Sequence, residues 1–219
     1  MDALDQLAGP AAELLGRVDD LLARVGAPAD HRIWPLVRRL RVLPGDAAGA
    51  VTALRPAALA RAGHAVRTLI REYDDAGRAL GDDGSWGGAA ADAYAARRTA
   101  LAERLTDGPD SLTGRMAATA GYAEAVADWA ADSRTALAYT LLDVLASAEA
   151  MLVVTADGPD DRPGRAAAEI GARVLATVAE SYDAGERLLA RWGPDLTELP
   201  PPRPVEAVSD WDGTTWITG

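Results

Sequence analysis

The sequence predicts an all-α bundle of long antiparallel helices, and three observations carry that reading. Apolar residues are 49% of the 219, yet aromatics are only 5% and Phe is absent. The apolar share is therefore mostly Ala, Leu and Val, which suits narrow helix–helix seams, whereas sheets favour β-branched and aromatic residues. Apolar positions recur in steps of three and four over long stretches, and short runs of Gly, Pro and Asp interrupt them. The first pattern is one face of a helix; the second is how helices stop.

The first helix is expected over Asp2–Val25, with Leu4, Leu7, Ala11, Leu14, Val18, Leu21 and Val25 forming a heptad seam. Gly26 and Pro28 end it. The stretch "HRIWPLVRRLRVLPGD" is less regular, and its Ile33, Trp34, Leu36, Val37, Leu40 and Val42 fit a short helix after Pro35 or a clasp over the bundle. A second helix is expected over Ala47–Leu80, with Pro56 kinking it or starting its main part. Its apolar line is Val51, Leu54, Leu59, Ala62, Val66, Leu69, Tyr73 and Leu80. Four glycines in "GDDGSWGG" exclude a helix interior there, and a third helix follows over Ala89–Leu105. After "TDGPDS" a fourth helix is expected over Leu112–Thr155, and after "ADGPDDRPG" a fifth over Arg165–Trp192, carrying Ile170, Val174, Val178, Tyr182 and Leu189 on one face. This places the bundle at residues 1–193 and an extended, Pro-rich tail at 194–219, with a possible Asp-Gly turn between Trp211 and Trp216.

Composition narrows the function. The formal net charge is −11, so nucleic acid and anionic lipid are not expected as direct partners. There is no Cys, which excludes disulfide scaffolds, thiolate zinc sites and Cys nucleophiles. No run reaches the ~18 apolar residues of a membrane span, and "MDALDQLAGP" lacks the basic and apolar regions of a signal peptide. The two His, His31 and His64, have no Glu three positions before them, as helical di-metal sites require, and no GxSxG, P-loop or HExxH pattern occurs. No catalytic, cofactor-binding or metal-ligating residue is therefore nominated, and the expectation is a non-enzymatic protein.

One feature asks for a function. In "GDDGSWGGAAADAYAARR" the glycines permit a chain reversal, the Asp residues and Ser85 supply turn chemistry, and the alanines allow close helix approach. None of this requires Trp86. A tripeptide Trp-x-Gly also occurs at Trp211–Gly213, so its weight comes from its place between two helices. That arrangement resembles the WXG100 superfamily, the small helical-hairpin substrates of type VII (ESX) secretion. The matching residues are Trp86, Gly87 and Gly88, then Ala90, Ala91 and Tyr94, and the likeness covers about residues 46–107.

The resemblance implies a helical hairpin that pairs, as a homo- or hetero-dimer, with a WXG-like partner, engages a secretion ATPase, and leaves the cytoplasm by a Sec-independent route. It also implies an export signal of the form Tyr-x-x-x-acid, matched twice, at Tyr139 with Asp143 and at Tyr182 with Glu186. Each pair lies one helical turn apart, where a receptor can read both side chains. The expected recognition residues are thus Trp86, Gly88, Tyr94, Tyr139, Asp143, Tyr182 and Glu186. The chain is about twice the family's usual length and its third helix is short, closer to the longer relatives. The alternative reading is a cytoplasmic helical scaffold, chaperone or immunity-like binder that offers its acidic surface to a basic partner and docks "PPPRP" into a groove.

Overall fold

The computed structural model describes residues 2–80, 87–106, 108–156 and 161–197. Among them the fold is all-α, with α1 (Ala3–Arg24), α2 (Ile33–Leu40), α3 (Pro44–Thr52), α4 (Pro56–Leu80), α5 (Ala89–Thr106), α6 (Leu112–Leu145), α7 (Ala148–Val154) and α8 (Asp161–Thr197). Trp86 and residues 198–219 lie outside the described residues.

The core forms where α1, α6 and α8 meet under the lid made by α2, α3 and α7. Leu4, Leu14, Leu15 and Val18 of α1 pack with Leu137, Leu141 and Val144 of α6 and with Ile170, Val174, Leu175 and Val178 of α8. Each fully buried side chain of this size stabilises the fold by roughly 1.5–3 kcal/mol. Small residues on α8 allow the close approach. Ala167, Ala168 and Ala172 are fully buried, and a Cβ on Gly171 would lie 2.9 Å from both Ile33 Cδ1 and Pro44 Cγ.

Local chemistry sets the helix ends. Asp2 caps α1 by accepting from the Asp5 N–H at 3.0 Å, while the Asp5 carboxylate accepts from the Asp2 N–H at 3.1 Å, a reciprocal capping box. Arg41 ends α2 in the left-handed region, φ 57°, and donates its N–H to the Val37 carbonyl at 2.7 Å.

Three boundaries differ from the sequence reading. The expected helix over Ala47–Leu80 is two helices: α3 ends at Thr52, and Pro56 starts the main part, α4, rather than kinking a continuous helix, since its missing N–H costs nothing there. The expected helix over Leu112–Thr155 breaks at Ser147, whose hydroxyl accepts from the Ala150 N–H at 3.2 Å, and α7 leaves α6 at 70°. A serine in extended backbone that caps a new helix competes with continuation of the old one. Finally, α8 starts at Asp161 and continues past Trp192 to Thr197.

The expected hairpin is also arranged differently. Along its length α4 pairs with α6, where Gly63 faces Ala120, Ala123 and Glu124 and Arg67 forms a forked ion pair with Glu124. Thr106, the last residue of α5, packs on Gly77 of α4, and no residue of α5 is buried. α6 is backed by the core through Leu137, Leu141 and Val144, whereas α5 has no core behind it.

Two reciprocal glycine–tryptophan contacts join α6 to α8. The Trp192 ring on α8 sits on Gly121 of α6, and the Trp129 ring on α6 sits on Gly185 of α8 and donates its Nε1–H to the Ser181 carbonyl at 2.8 Å. Each ring fills the space that a missing side chain leaves on the facing helix.

Candidate recognition surface

The residues expected to be recognised lie on three helices. Gly88 has φ 110°, a left-handed conformation that favours glycine, and its carbonyl accepts the Asp92 N–H at 3.1 Å to begin α5. Tyr94 is exposed one turn further on, with the Arg98 guanidinium 5.5 Å from its ring centre. Tyr139 and Asp143 stand exposed on α6, and Tyr182 and Glu186 stand exposed on α8. At 67%, Tyr139 is the most exposed large apolar side chain among the described residues, and it borders a small groove with Asp2, Ala3, Leu4 and Leu142.

The structure does not gather these residues into one site. α5 makes no contact with α8, and Tyr139 is 27 residues along α6 from its first residue, about 40 Å. The two Tyr-x-x-x-acid pairs are separate surfaces on antiparallel helices. Tyr182 and Leu189, expected on the buried face of the fifth helix, are exposed, as is Val25 at the end of α1. Tyr182 and Leu189 lie beyond the reach of α1 and α3, which cover only the first half of α8.

Sequence reasoning missed a polar cluster around Arg134. Its side chain is buried and carries no neutralising neighbour on its own helix. Its Nε donates to Asp2 Oδ2 at 2.7 Å, and its Nη2 donates to Asp2 Oδ1 at 2.8 Å and Asp5 Oδ1 at 2.6 Å. Its Nη1 donates to the carbonyls of Thr52 and Leu54 at 2.5 and 3.3 Å. The arginine thus ties the start of α1 and the α3–α4 junction to α6. The signal was present: Arg134 occupies the place of an apolar residue in the sequence Ala127, Ala130, Arg134, Leu137, Leu141, all of which are buried. A charge in such a row requires partners.

His31 accepts the Ile33 N–H at its Nδ1 at 3.2 Å, and its Nε2 lies 3.7 Å from Glu169 Oε2. It borders an open cleft of about 650 Å³ between the 28–32 loop, α7 and the start of α8, with Asp30, Arg32, Glu149, Arg165 and Glu169 on its walls. Burial pushes the Glu169 carboxyl up, but hydrogen bonds from Arg32 and Arg173 outweigh it and hold the group below its ordinary value. A carboxylate held by two guanidinium groups is a poor proton acceptor. His64 is exposed on α4, and no group of three metal-ligating side chains occurs among the described residues.

No single helix among the described residues is long and apolar enough to cross a membrane. No family model matches this chain, and no curated protein or solved structure shows significant similarity to it.

Proposed function

We propose that this chain is a non-enzymatic, type VII (ESX) secretion-associated protein of the WXG100-like kind, exported itself or acting as a secretion partner through helix–helix contacts. The observation that carries the reading is the display of the two Tyr-x-x-x-acid pairs. Both lie within long, regular helices with tyrosine and acid exposed together, one turn apart. A tyrosine left in water on a helix whose neighbouring turns are buried exposes apolar surface for which the fold itself has no use. The Gly88 turn and Tyr94 at the start of α5 form the second recognised element, together with Trp86.

The test is an export assay in a host carrying the secretion system, with three variants of the full chain: Tyr139→Ala with Asp143→Asn, Tyr182→Ala with Glu186→Gln, and Trp86→Ala. One tyrosine–acid variant is expected to abolish export while the protein accumulates, folded, in the cytoplasm. Unchanged export of all three would overturn the reading.

A second reading, a cytoplasmic scaffold or chaperone-like binder, is favoured by one observation: α1, α6 and α8 close a core without any partner chain. A stable cytosolic complex with no export of the unaltered chain would select it.

A further inference from the structure

Arg165 lines the open cleft beside His31 and stands one turn before Glu169 on α8, a spacing at which an arginine and a glutamate can pair. Glu169 is taken by others. Arg32, just before α2, holds its carboxylate in a fork through Nε and Nη2, and Arg173, one turn further along α8, donates to it at 3.2 Å. Arg173 also lies 3.5 Å from Glu149 of α7. The remaining carboxylate of the cleft is Asp30. Among the described residues, neither Asp30 nor Arg165 forms an ion pair or a side-chain hydrogen bond.

The charge of this cleft runs against that of the chain. Arg32, Arg162, Arg165 and Arg173 set four guanidinium groups against the three carboxylates of Asp30, Glu149 and Glu169, in a protein whose formal net charge is −11. Arg162 and Arg165 also fall within the first five residues of α8, where the helix field disfavours cations. Charges placed against the local preference, one of them unmatched, are the kind of inconsistency that functional sites carry. The cleft's volume of about 650 Å³ is that of a small-molecule site. Pro28, Leu152 and Ala166 give it apolar surface as well.

We propose that this cleft binds a phosphate group, free or carried on a small organic molecule, with the Arg165 guanidinium as its principal ligand. The N–H donors of Arg165 are uncommitted, and the Nη1 of Arg32 makes no hydrogen bond to a described residue. Glu169 is the helical neighbour of Arg165 and carries the Arg32 guanidinium, so both cations come within reach of one anion. Phosphate suits the pair better than a carboxylate. Its three oxygens serve the fork of Arg165 and the Nη1 of Arg32 together, whereas a carboxylate has only two. With Asp30 in the cleft and an acidic chain around it, the site admits one phosphate rather than a polyanion. The proposal is independent of the export reading.

Isothermal titration calorimetry on the full chain at fixed ionic strength tests it, with phenyl phosphate, inorganic phosphate and benzoate as probes. Phenyl phosphate is expected to bind with a Kd of about 1 mM or tighter. Arg165→Gln should weaken it roughly tenfold or more, as loss of a charge-assisted pair does. Arg61→Gln removes an equal charge from the exposed surface of α4, outside the cleft, and should change it less than about twofold. Both arginines are exposed, so the variants should fold. Inorganic phosphate binding as tightly as phenyl phosphate would identify free phosphate as the ligand. Binding several-fold more weakly would identify an organic phosphate whose body rests on Pro28 and Leu152. No saturable binding of either phosphate up to about 10 mM, equal effects of the two substitutions, or benzoate binding as tightly as phenyl phosphate would each overturn the proposal.

Discussion

The guanidinium of Arg134 closes a two-point fork on the carboxylate of Asp2, 132 residues away in sequence, at 2.7 and 2.8 Å. The same group reaches Asp5 and two main-chain carbonyls at the α3–α4 junction, so a single buried side chain holds three segments. Arg134→Met is expected to cost about 2 kcal/mol, less than a fully buried pair would, because Asp2 and Asp5 keep substantial access to water. Arg134→Lys should recover only part of this, since an ammonium cannot make the fork. Urea unfolding of the two variants would show it; equal stability of Arg134→Met and the unaltered chain would contradict the role.

The same pair gives a pH signature. The hydrogen bond from Arg134 lowers the Asp2 carboxyl from its ordinary 3.8 to about 2. A carboxyl depressed in the folded state adds stability above its unfolded value and loses it as the proton binds. The stability difference between the unaltered chain and Arg134→Met should therefore be constant above about pH 5 and shrink between pH 4 and 2, followed by thermal unfolding across that window.

Asp19 has the opposite sign. Its carboxylate accepts the Gly45 N–H at the start of α3, at 3.1 Å. Burial raises its pKa to about 6, against the opposing Gly45 hydrogen bond and with help from Asp46 and Asp20. The folded state thus favours the protonated form, and ionisation destabilises it as pH rises from about 4 to 6. Asp19→Asn keeps an acceptor oxygen for Gly45 and removes the charge. Its melting temperature should exceed that of the unaltered chain at pH 7 and match it near pH 4; an offset that does not change with pH would contradict the assignment.

Two glycines in helices should respond to alanine in opposite directions. On Gly16 of α1 an added Cβ meets nothing within 4 Å, so Gly16→Ala should stabilise by about 0.5–1 kcal/mol through helix propensity and a less mobile unfolded chain. On Gly114 an added Cβ would run into the main chain of Gly108 and Pro109, which no side-chain rotation relieves. Gly114→Ala should cost about 2 kcal/mol or more. Chemical denaturation of both variants at one pH decides it.

The exposed tyrosines should be dispensable for folding. Tyr139→Ala and Tyr182→Ala remove side chains that are mostly in water, so each should change stability by no more than about 0.5 kcal/mol. Circular dichroism melts that match the unaltered chain would assign any loss of export or partner binding to recognition. A drop of several degrees would mean that the tyrosine packs in the fold.

Much of the helical plan was legible in the sequence. The seam of α1 and the stripe Ile170, Val174, Val178 were readable because one buried face forces apolar residues into the 3.6-residue period. Pro56 as a helix start, and the end of α4 at Leu80 before the start of α5 at Ala89, were readable because backbone chemistry acts locally. Local pattern says that a face is apolar but not what covers it. Tyr182 and Leu189 continue the stripe of Val178 yet stand in water, since α1 and α3 end before reaching them. The fourth helix continued in periodicity past Ser147, where the chain turns by 70°. Arg134 was visible only as a charge in an apolar row, because its partners lie at the other end of the chain.

The sequence by itself determined the all-α class and the placement of most helices, because period, caps and helix breakers act within a few residues. Tertiary structure decided which helices pair, that α4 rests on α6 while no residue of α5 is itself buried, and which apolar side chains the core leaves outside. Pairing depends on the match of small and large residues between distant segments, as Gly121 with Trp192 and Gly185 with Trp129 show, and that match is a property of two helices together.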